Sequence, residues 1–378
     1  MIGERPLVIA LKELRQLRRD RLTVAMMLVL PIVQLLLFGY AINTDVRHLP
    51  TVVLDQDQTA QSRDLARRLE ATRFYDIVGQ VDGYPALERS IRGGAARVAL
   101  VIPPRYASDI TRGRTTSVQL VVDGSDPQVV GSATNSAAGV VAAHNGQLQL
   151  ARLARAGAGR PNAGPPIELE PAILYNPELR TSVFVVPGLI GVILTMTMVM
   201  LTAMAIARER ERGTLEQLIV SPVKRFEIIL GKIVPYVVMG YFQMSLVLFV
   251  GHVFFGVPFA GSVLLLYALS FVFIAANLAI GLFFSTLAKT QQQAMQMSFF
   301  FFLPNILLSG FMFPFEAMPR PAQWLATALP LTHFHRIVRG IVLKGTSFAD
   351  LRLELLWLLA ILGVLLLGTF LRFTKKLV

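Results

Sequence analysis

Long apolar runs separated by polar stretches dominate the hydropathy pattern of this chain. Six runs are about 20 residues long, the length that an α-helix needs to cross the hydrocarbon core of a bilayer. We predict transmembrane helices at Thr23–Ile42, Ser182–Ala207, Ile233–Phe255, Ser262–Leu287, Ala294–Met312 and Leu353–Phe370. The pattern therefore predicts a membrane α-helical fold with six transmembrane helices.

A basic segment precedes the first apolar run. Within residues 1–22, leucines recur at helical spacing between Lys and Arg residues, at Leu7, Leu11, Leu14 and Leu17. This pattern predicts an amphipathic interfacial helix on the cytoplasmic side, although a charged flank that only orients the first span explains the same residues. The run 23–42 is too long for a signal peptide and no small-x-small cleavage site follows it, so we predict an uncleaved anchor.

One long polar segment, residues 43–181, separates the first span from the second. Predicted strands alternate there with predicted helices: Thr51–Leu54, Asp57–Thr72, Tyr84–Ile91, Val98–Ile102, Val118–Val122 and 131–156. Alternation of this kind indicates an α/β sheet domain, which we place outside the cytoplasm. Turn and cap roles account for the aspartates at the predicted strand ends, Asp55, Asp57, Asp123 and Asp126.

The composition excludes several classes of chemistry. Of the 378 residues, 54% are hydrophobic and 16% are charged, which is too apolar for a soluble fold of this length. The chain has no cysteine, so disulfides, zinc–thiolate sites, iron–sulfur clusters and thiol catalysis are excluded.

The net charge of +12 lies mainly in short segments beside the apolar runs, while residues 43–181 are close to neutral. This distribution follows the positive-inside rule and argues against a nucleic-acid partner. It places both termini in the cytoplasm of a multi-pass protein. One predicted outside segment, Pro314–Arg352, is basic and goes against the rule.

The spans themselves carry few groups that could couple an ion or catalyse a reaction. His252 is the only ionisable residue that we find well inside a span, and no phosphate-binding loop is present. A secondary transporter or an intramembrane enzyme would need such groups, so both are disfavoured. Uncharged polar residues either bond between helices or line a translocation path; they are Gln34, Gln243, Asn277 and Asn305.

Two motifs carry a family resemblance. The first is Arg208-Glu-Arg-Glu-Arg-Gly-Thr-Leu-Glu-Gln-Leu-Ile-Val-Ser-Pro222, whose mixed charge and apolar edge suit either docking on a soluble partner or a solvated helix. The second is Leu329-Pro-Leu-Thr-His-Phe-His-Arg-Ile-Val-Arg-Gly-Ile-Val-Leu-Lys-Gly345. With the order of spans, they resemble the type-2 class of ABC exporter permeases, over essentially the whole chain. Bacterial multidrug-type exporters are the members that it resembles most.

The resemblance implies a transport subunit that is not an enzyme. It would dimerise with a second permease copy or paralogue in the bacterial inner membrane and be driven by separate ATPase subunits, which bind ATP and Mg; this chain would hold no cofactor. A coupling helix at 208–225 would receive the ATPase motion through Glu209, Glu211, Arg212, Gly213, Thr214, Glu216, Gln217 and Leu218. Within the five-helix domain 182–378, an outer re-entrant segment at 314–345 would close the exit with Pro330, Thr332, Arg336, Arg339 and Gly340. A periplasmic adaptor and membrane lipids are further partners that it suggests.

The sequence also predicts roles for four ionisable residues of the second motif. His333 and His335 point apart on a helix, so we predict structural roles and no metal site. Arg336 and Arg339 share one helix face, where they would meet phospholipid headgroups or Glu316.

Uncharged spans favour a lipophilic or amphipathic substrate. The alternative function is a membrane-anchored ligand sensor or scaffold that uses the domain outside the cytoplasm.

Overall fold

The computed structural model describes residues 46–156, 164–211 and 225–374. The predicted interfacial helix and first span, and the part of the predicted coupling helix from residue 212 to 224, lie outside these ranges. The described chain forms a sheet domain that is followed by a helical domain.

The sheet domain confirms the predicted α/β class. Its strands are β1 (Leu49–Asp55), β2 (Tyr75–Gln80), β3 (Val98–Ile102), β4 (Thr116–Asp123) and β5 (Ile167–Leu174). Its helices are α1 (Ala60–Ala71), α2 (Tyr84–Arg92), α3 (Tyr106–Thr111) and α4 (Pro127–Ala156). The strand order is β2-β1-β3-β4-β5, with β3 and β4 antiparallel and the other pairs parallel.

Apolar clusters cover both faces of this sheet. Leu65 of α1 and Val129 of α4 lie in the cluster on one face, and Leu87 of α2 lies in the cluster on the other. Central strand β3 is therefore buried at every position and has the continuous apolar sequence that was predicted as a strand. The sequence analysis missed β2 and β5 because both are edge strands with exposed polar positions, and β5 contains a proline.

The helical domain contains long helices and a group of short ones. The long helices are α5 (Thr181–Glu211), α6 (Arg225–Phe255), α7 (Val263–Leu287), α8 (Gln291–Leu308) and α11 (Phe348–Thr374). Between α8 and α11 lie a 3₁₀ turn (Phe315–Ala317), α9 (Arg320–Thr327) and α10 (Pro330–Lys344). We call residues 309–344, which contain these three elements, the short-helix segment.

Within the described residues, four helices are long and apolar enough to cross a membrane: α5, α6 from Val234, α7, and α11 as far as Leu371. Helix α8 is not among them, so six spans remain a prediction. It ends at Leu308 rather than at the predicted Met312, and Gly310 with a φ of +80° follows directly.

Close contacts hold α5 at the centre of the helical domain. A Cβ on Gly281 of α7 would lie 2.7 Å from the carbonyl oxygen of Val199 in α5, so the two backbones approach closely. The rings of Phe273 in α7 and Phe334 in α10 stack at 3.9 Å. In contrast, α6 and α11 expose apolar side chains such as Phe242 and Leu367, a face suited to lipid or to another apolar helix.

Substituting Gly124 should destabilise the sheet domain. A Cβ on Gly124, which follows β4, would lie 2.5 Å from Ile173 Cγ2 and still closer to the carbonyl oxygen of Leu174. We expect Gly124→Ala to lower the free energy of unfolding by about 1–3 kcal/mol through overpacking. Thermal unfolding of the full chain in detergent measures this. Gly139→Ala in α4, where a Cβ meets nothing within 4 Å, is the control and should not destabilise; equal melting of both variants would contradict the prediction.

Candidate functional site

Buried charges connect the sheet domain to the short-helix segment. The Asp123 carboxylate accepts hydrogen bonds from Lys344 Nζ at 2.5 Å and from Arg97 Nη1 at 2.8 Å. Arg97 also donates from Nε to Glu316 Oε1 at 3.0 Å. We call these four residues the junction cluster. Two of them belong to the sheet domain and two to the short-helix segment, so each ion pair except Arg97–Asp123 crosses the junction.

The local backbone explains why these side chains meet. Arg97 directly precedes β3, and Asp123 ends the antiparallel strand β4, so the Asp123 N–H donates to the Arg97 carbonyl at 2.9 Å. Lys344 is the last residue of α10, which Gly345 terminates in the left-handed conformation. Glu316 lies in the 3₁₀ turn. Strand pairing and two helix ends therefore bring the four charges together.

Electrostatics shift the pKa values of Asp123, Glu316 and Arg97 toward the charged form. Asp123 has no exposed surface, and burial alone would raise its pKa, but Lys344 and Arg97 outweigh this and hold the pKa below its usual value. Burial also opposes ionisation of Glu316, and the Arg97 charge again lowers the pKa of that carboxyl. Glu316 and Asp123 in turn raise the pKa of Arg97. Burial lowers the pKa of Lys344, although the Asp123 charge opposes this shift.

Further polar contacts surround the junction cluster. Arg339 donates to the Gly310 carbonyl at 3.2 Å and lies over the Phe184 ring, 4.3 Å from its centroid. The Gln128 side-chain amide donates to the Met312 carbonyl at 3.1 Å. Burial raises the pKa of Asp126, although Arg339 and Arg97 oppose the shift. The expectation that Asp123 only forms turns and caps was therefore wrong, whereas Asp55 and Asp57 do accept such local bonds.

The second sequence motif folds as α10, and its ionisable residues contact the last long helix. Glu354 of α11 accepts from Arg336 Nη1 at 3.0 Å and lies 2.5 Å from His333 Nδ1. The sequence analysis overlooked Glu354, because it lies only one residue inside the predicted last span, although an acidic residue beside an apolar run is itself a signal. Arg336 pairs with Glu354 rather than with Glu316, whose partner is Arg97.

The remaining predicted residues of this motif have structural contacts. Pro330 begins α10, where its missing N–H has no cost. Thr332 donates to the Ala326 carbonyl at 2.7 Å, and a Cβ on Gly340 would lie 2.8 Å from Thr346 Oγ1. His335 is buried, stacks on Phe311 at 5.5 Å, and has no hydrogen-bond partner within the described residues.

The first motif begins as the end of α5, which is fastened to the turn between α7 and α8. Glu211 accepts from the Gln291 backbone N–H at 2.9 Å and from its side-chain amide at 2.6 Å. Arg208 donates to Gln291 Oε1 at 3.1 Å, and Arg210 donates to the Ala288 carbonyl at 2.6 Å. We call these contacts the α5–α8 bracket. Glu209 lies beside it; the other predicted coupling residues, from Arg212 to Leu218, lie outside the described residues.

The predicted path residues differ in their polar contacts. Gln243 accepts from Thr197 at 2.9 Å, which is an interhelical hydrogen bond between α6 and α5. Asn277 donates to the Phe273 carbonyl of its own helix, and its side-chain oxygen has no partner within the described residues. Asn305 is fully buried and neither atom of its amide has a described partner. Gln34 lies outside the described residues.

These features define a class of protein. A bundle of long apolar helices carries a folded sheet domain. Charged side chains pair at the junction with that domain and at the end of α5. The family described as "ABC-2 family transporter protein" matches residues 21–371. The chain belongs to this family and is an ABC-2 type permease.

Relatives cover nearly the whole chain. The "Probable multidrug ABC transporter permease YbhR" of Escherichia coli K12 is 33% identical over 93% of this chain and 93% of its own length. The "Probable multidrug ABC transporter permease YbhS" of the same strain is 30% identical over 93% and 92%. The "Inner membrane transport permease YhhJ" is 28% identical over 97% and 96%. The resemblance drawn from the two motifs is confirmed.

Removing one charge from the junction cluster should cost more stability than removing a pair. Lys344→Met leaves the buried Asp123 carboxylate with one cation, so we expect a loss of about 3–5 kcal/mol in the free energy of unfolding. In Asp123→Asn/Lys344→Met no carboxylate is left short of a cation, and the loss should be smaller. Chemical unfolding in detergent measures both variants.

The matched control is Arg68→Met. It breaks the Arg68–Asp64 pair on the surface of α1 and should cost about 0.5 kcal/mol. If the double variant were at least as unstable as Lys344→Met, the loss of stability would not come from a buried carboxylate left short of a cation.

Proposed function

We propose that this chain is the membrane subunit of an ATP-driven exporter and that a separate ATPase subunit, which binds ATP and Mg, powers it. No phosphate-binding loop occurs among these 378 residues, which supports an ATPase outside them as the energy source. The names of the YbhR and YbhS relatives, which both include "multidrug ABC transporter permease", support the same assignment.

The α5–α8 bracket is the observation that carries the proposal. It lies at the end of α5, directly before residues 212–224, which the ATPase would displace. Because Glu211 holds both the backbone and the side chain of Gln291, a displacement of α5 at this end also moves the start of α8. A single displacement by the ATPase would then move both α5 and α8.

The topology follows from this assignment. The bracket and both termini face the cytoplasm, and the sheet domain and short-helix segment face the opposite side of a bacterial inner membrane. Six spans, including 23–42 and α8, complete the permease, and two copies or paralogues pair to enclose the path. The exposed apolar faces of α6 and α11 are available for lipid and for that pairing. A periplasmic adaptor would dock on the sheet domain.

The substrate we propose is lipophilic or amphipathic. Of the path residues, Asn277 and Asn305 are buried with amide atoms that have no described partner, and buried polar groups of this kind call for an explanation. A rearrangement that opens a path between α5, α7 and α8 would offer them to a substrate. Their small number and lack of charge fit an apolar molecule with few polar groups.

Purification from the native membrane tests the proposal. The tagged chain, extracted in mild detergent, should retain a soluble ATPase in stoichiometric amount, detected by mass spectrometry and by ATP hydrolysis. Glu216→Lys reverses a charge in the proposed docking helix and should release the ATPase and stop ATP-driven uptake of the lipophilic dye rhodamine 6G into inside-out vesicles. Membrane insertion should not change.

Glu70→Lys is the matched control, because Glu70 is exposed on α1 in the sheet domain. It should retain the ATPase and the uptake. A chain that purifies without any ATPase would contradict the proposal and favour a membrane-anchored sensor or scaffold. Retention of the ATPase by Glu216→Lys would remove the docking role from that residue.

A further inference from the structure

We propose that the sheet domain and the short-helix segment move as one body during transport, and that Arg97, Asp123, Glu316 and Lys344 are the positioning residues that join them. The inference rests on the proposed function, because the short-helix segment lies at the exit only if the chain is an exporter. Its consequence is that the exit cannot open without moving the sheet domain.

The joint combines ionic, polar and apolar contacts. Lys344–Asp123 connects the two parts through a buried ion pair at 2.5 Å, and Arg97–Glu316 through a partly buried one at 3.0 Å. The Gln128 side chain bonds to the Met312 carbonyl, and Lys344 Nζ also lies 5.6 Å from the centroid of the Tyr175 ring. Ala317 of the 3₁₀ turn belongs to the same apolar cluster as the core of the sheet domain. Part of the short-helix segment thus packs in the core of the sheet domain.

Separation of the two parts would leave charges without partners. Asp123 has no exposed surface and the Lys344 side chain is only 7% exposed, so water does not compete for this pair while the two parts are joined. Breaking a buried ion pair by removing one partner is strongly unfavourable, because the remaining charge stays uncompensated. Motion that keeps the pairs intact avoids this cost.

The contacts of α10 with α5 and α7 are mainly apolar, whereas its ion pairs with Glu354 connect it to α11. Leu331 and Phe334 approach Gly191 of α5, and Phe334 stacks on Phe273 of α7. Apolar contacts are not directional, and packed helices slide past one another by small shear movements. The interface between α10 and the α5–α7 pair is therefore the one that can shift, while the junction cluster holds.

Chemical cross-linking tests the inference directly, because the chain has no cysteine of its own. Gln128→Cys/Met312→Cys places thiols on either side of the joint, where a reducible thiol-specific cross-linker can connect them. Asp123→Asn/Lys344→Met loosens the joint without leaving a carboxylate short of a cation. The full-length chain, with its co-purified ATPase, is assayed for rhodamine 6G uptake into inside-out vesicles, with and without the cross-linker in each background.

We expect the cross-link to leave uptake by the cysteine-pair variant at its level before cross-linking. The loosened variant should lose about tenfold in uptake, the size of a typical coupling between distant sites. The cross-link should then restore uptake in the loosened variant, and reduction should abolish it again. Asp64→Asn, which neutralises an aspartate in an exposed ion pair, is the control and should leave uptake unchanged.

Two results would overturn the inference. Unchanged uptake by a correctly inserted loosened variant would show that the joint is dispensable, and loss of uptake on cross-linking the cysteine-pair variant would show that the two parts must separate. Loss of uptake on cross-linking would overturn the inference even if the loosened variant did not fold. Absence of ATP-driven uptake by the unchanged chain would instead overturn the proposed function, and this inference with it.

Discussion

The buried carboxylate of Asp123 is the point on which the arrangement of the two domains depends. It accepts from Arg97 in its own domain and from Lys344 at the end of α10, and the Ser125 backbone N–H donates to its other oxygen. Two cations therefore compensate its burial, and one of them arrives from the helical domain. A charge that only the neighbouring domain completes fixes the position of that domain more narrowly than apolar contact would.

The α5–α8 bracket has a related role at the opposite end of the helical domain. Gln291 begins α8, and Glu211 both bonds to its backbone N–H and holds its side chain. At the other end, the chain that follows α8 bonds to Arg339 through Gly310 and to Gln128 through Met312. Polar contacts therefore hold α8 at both ends, while its middle is apolar. In the exporter that we propose, it connects the side that the ATPase pushes with the side where substrate leaves.

The sequence alone predicted four apolar helices that the structure confirms, the α/β class of the sheet domain and the family, because each depends on periodicity, composition or a contiguous motif. It did not predict the junction cluster, since Arg97, Asp123 and Lys344 meet only after β3 pairs with β4 and α10 reaches the sheet. Asp123 looked like an ordinary residue at a strand end, and Glu354 like the flank of a span. Strands β2 and β5 were missed because exposed edge positions weaken the apolar pattern.

The distance between the sheet domain and the short-helix segment during the ATPase cycle tests the central claim most directly. Spin labels attached through Glu70→Cys in α1 and Trp324→Cys in α9, both exposed positions, report this distance in the cysteine-free chain. Pulsed electron paramagnetic resonance would compare the complex without nucleotide and with trapped ATP. We predict the same distance distribution in both states. A distribution that shifts or splits on ATP binding would contradict the claim that the two parts move as one body.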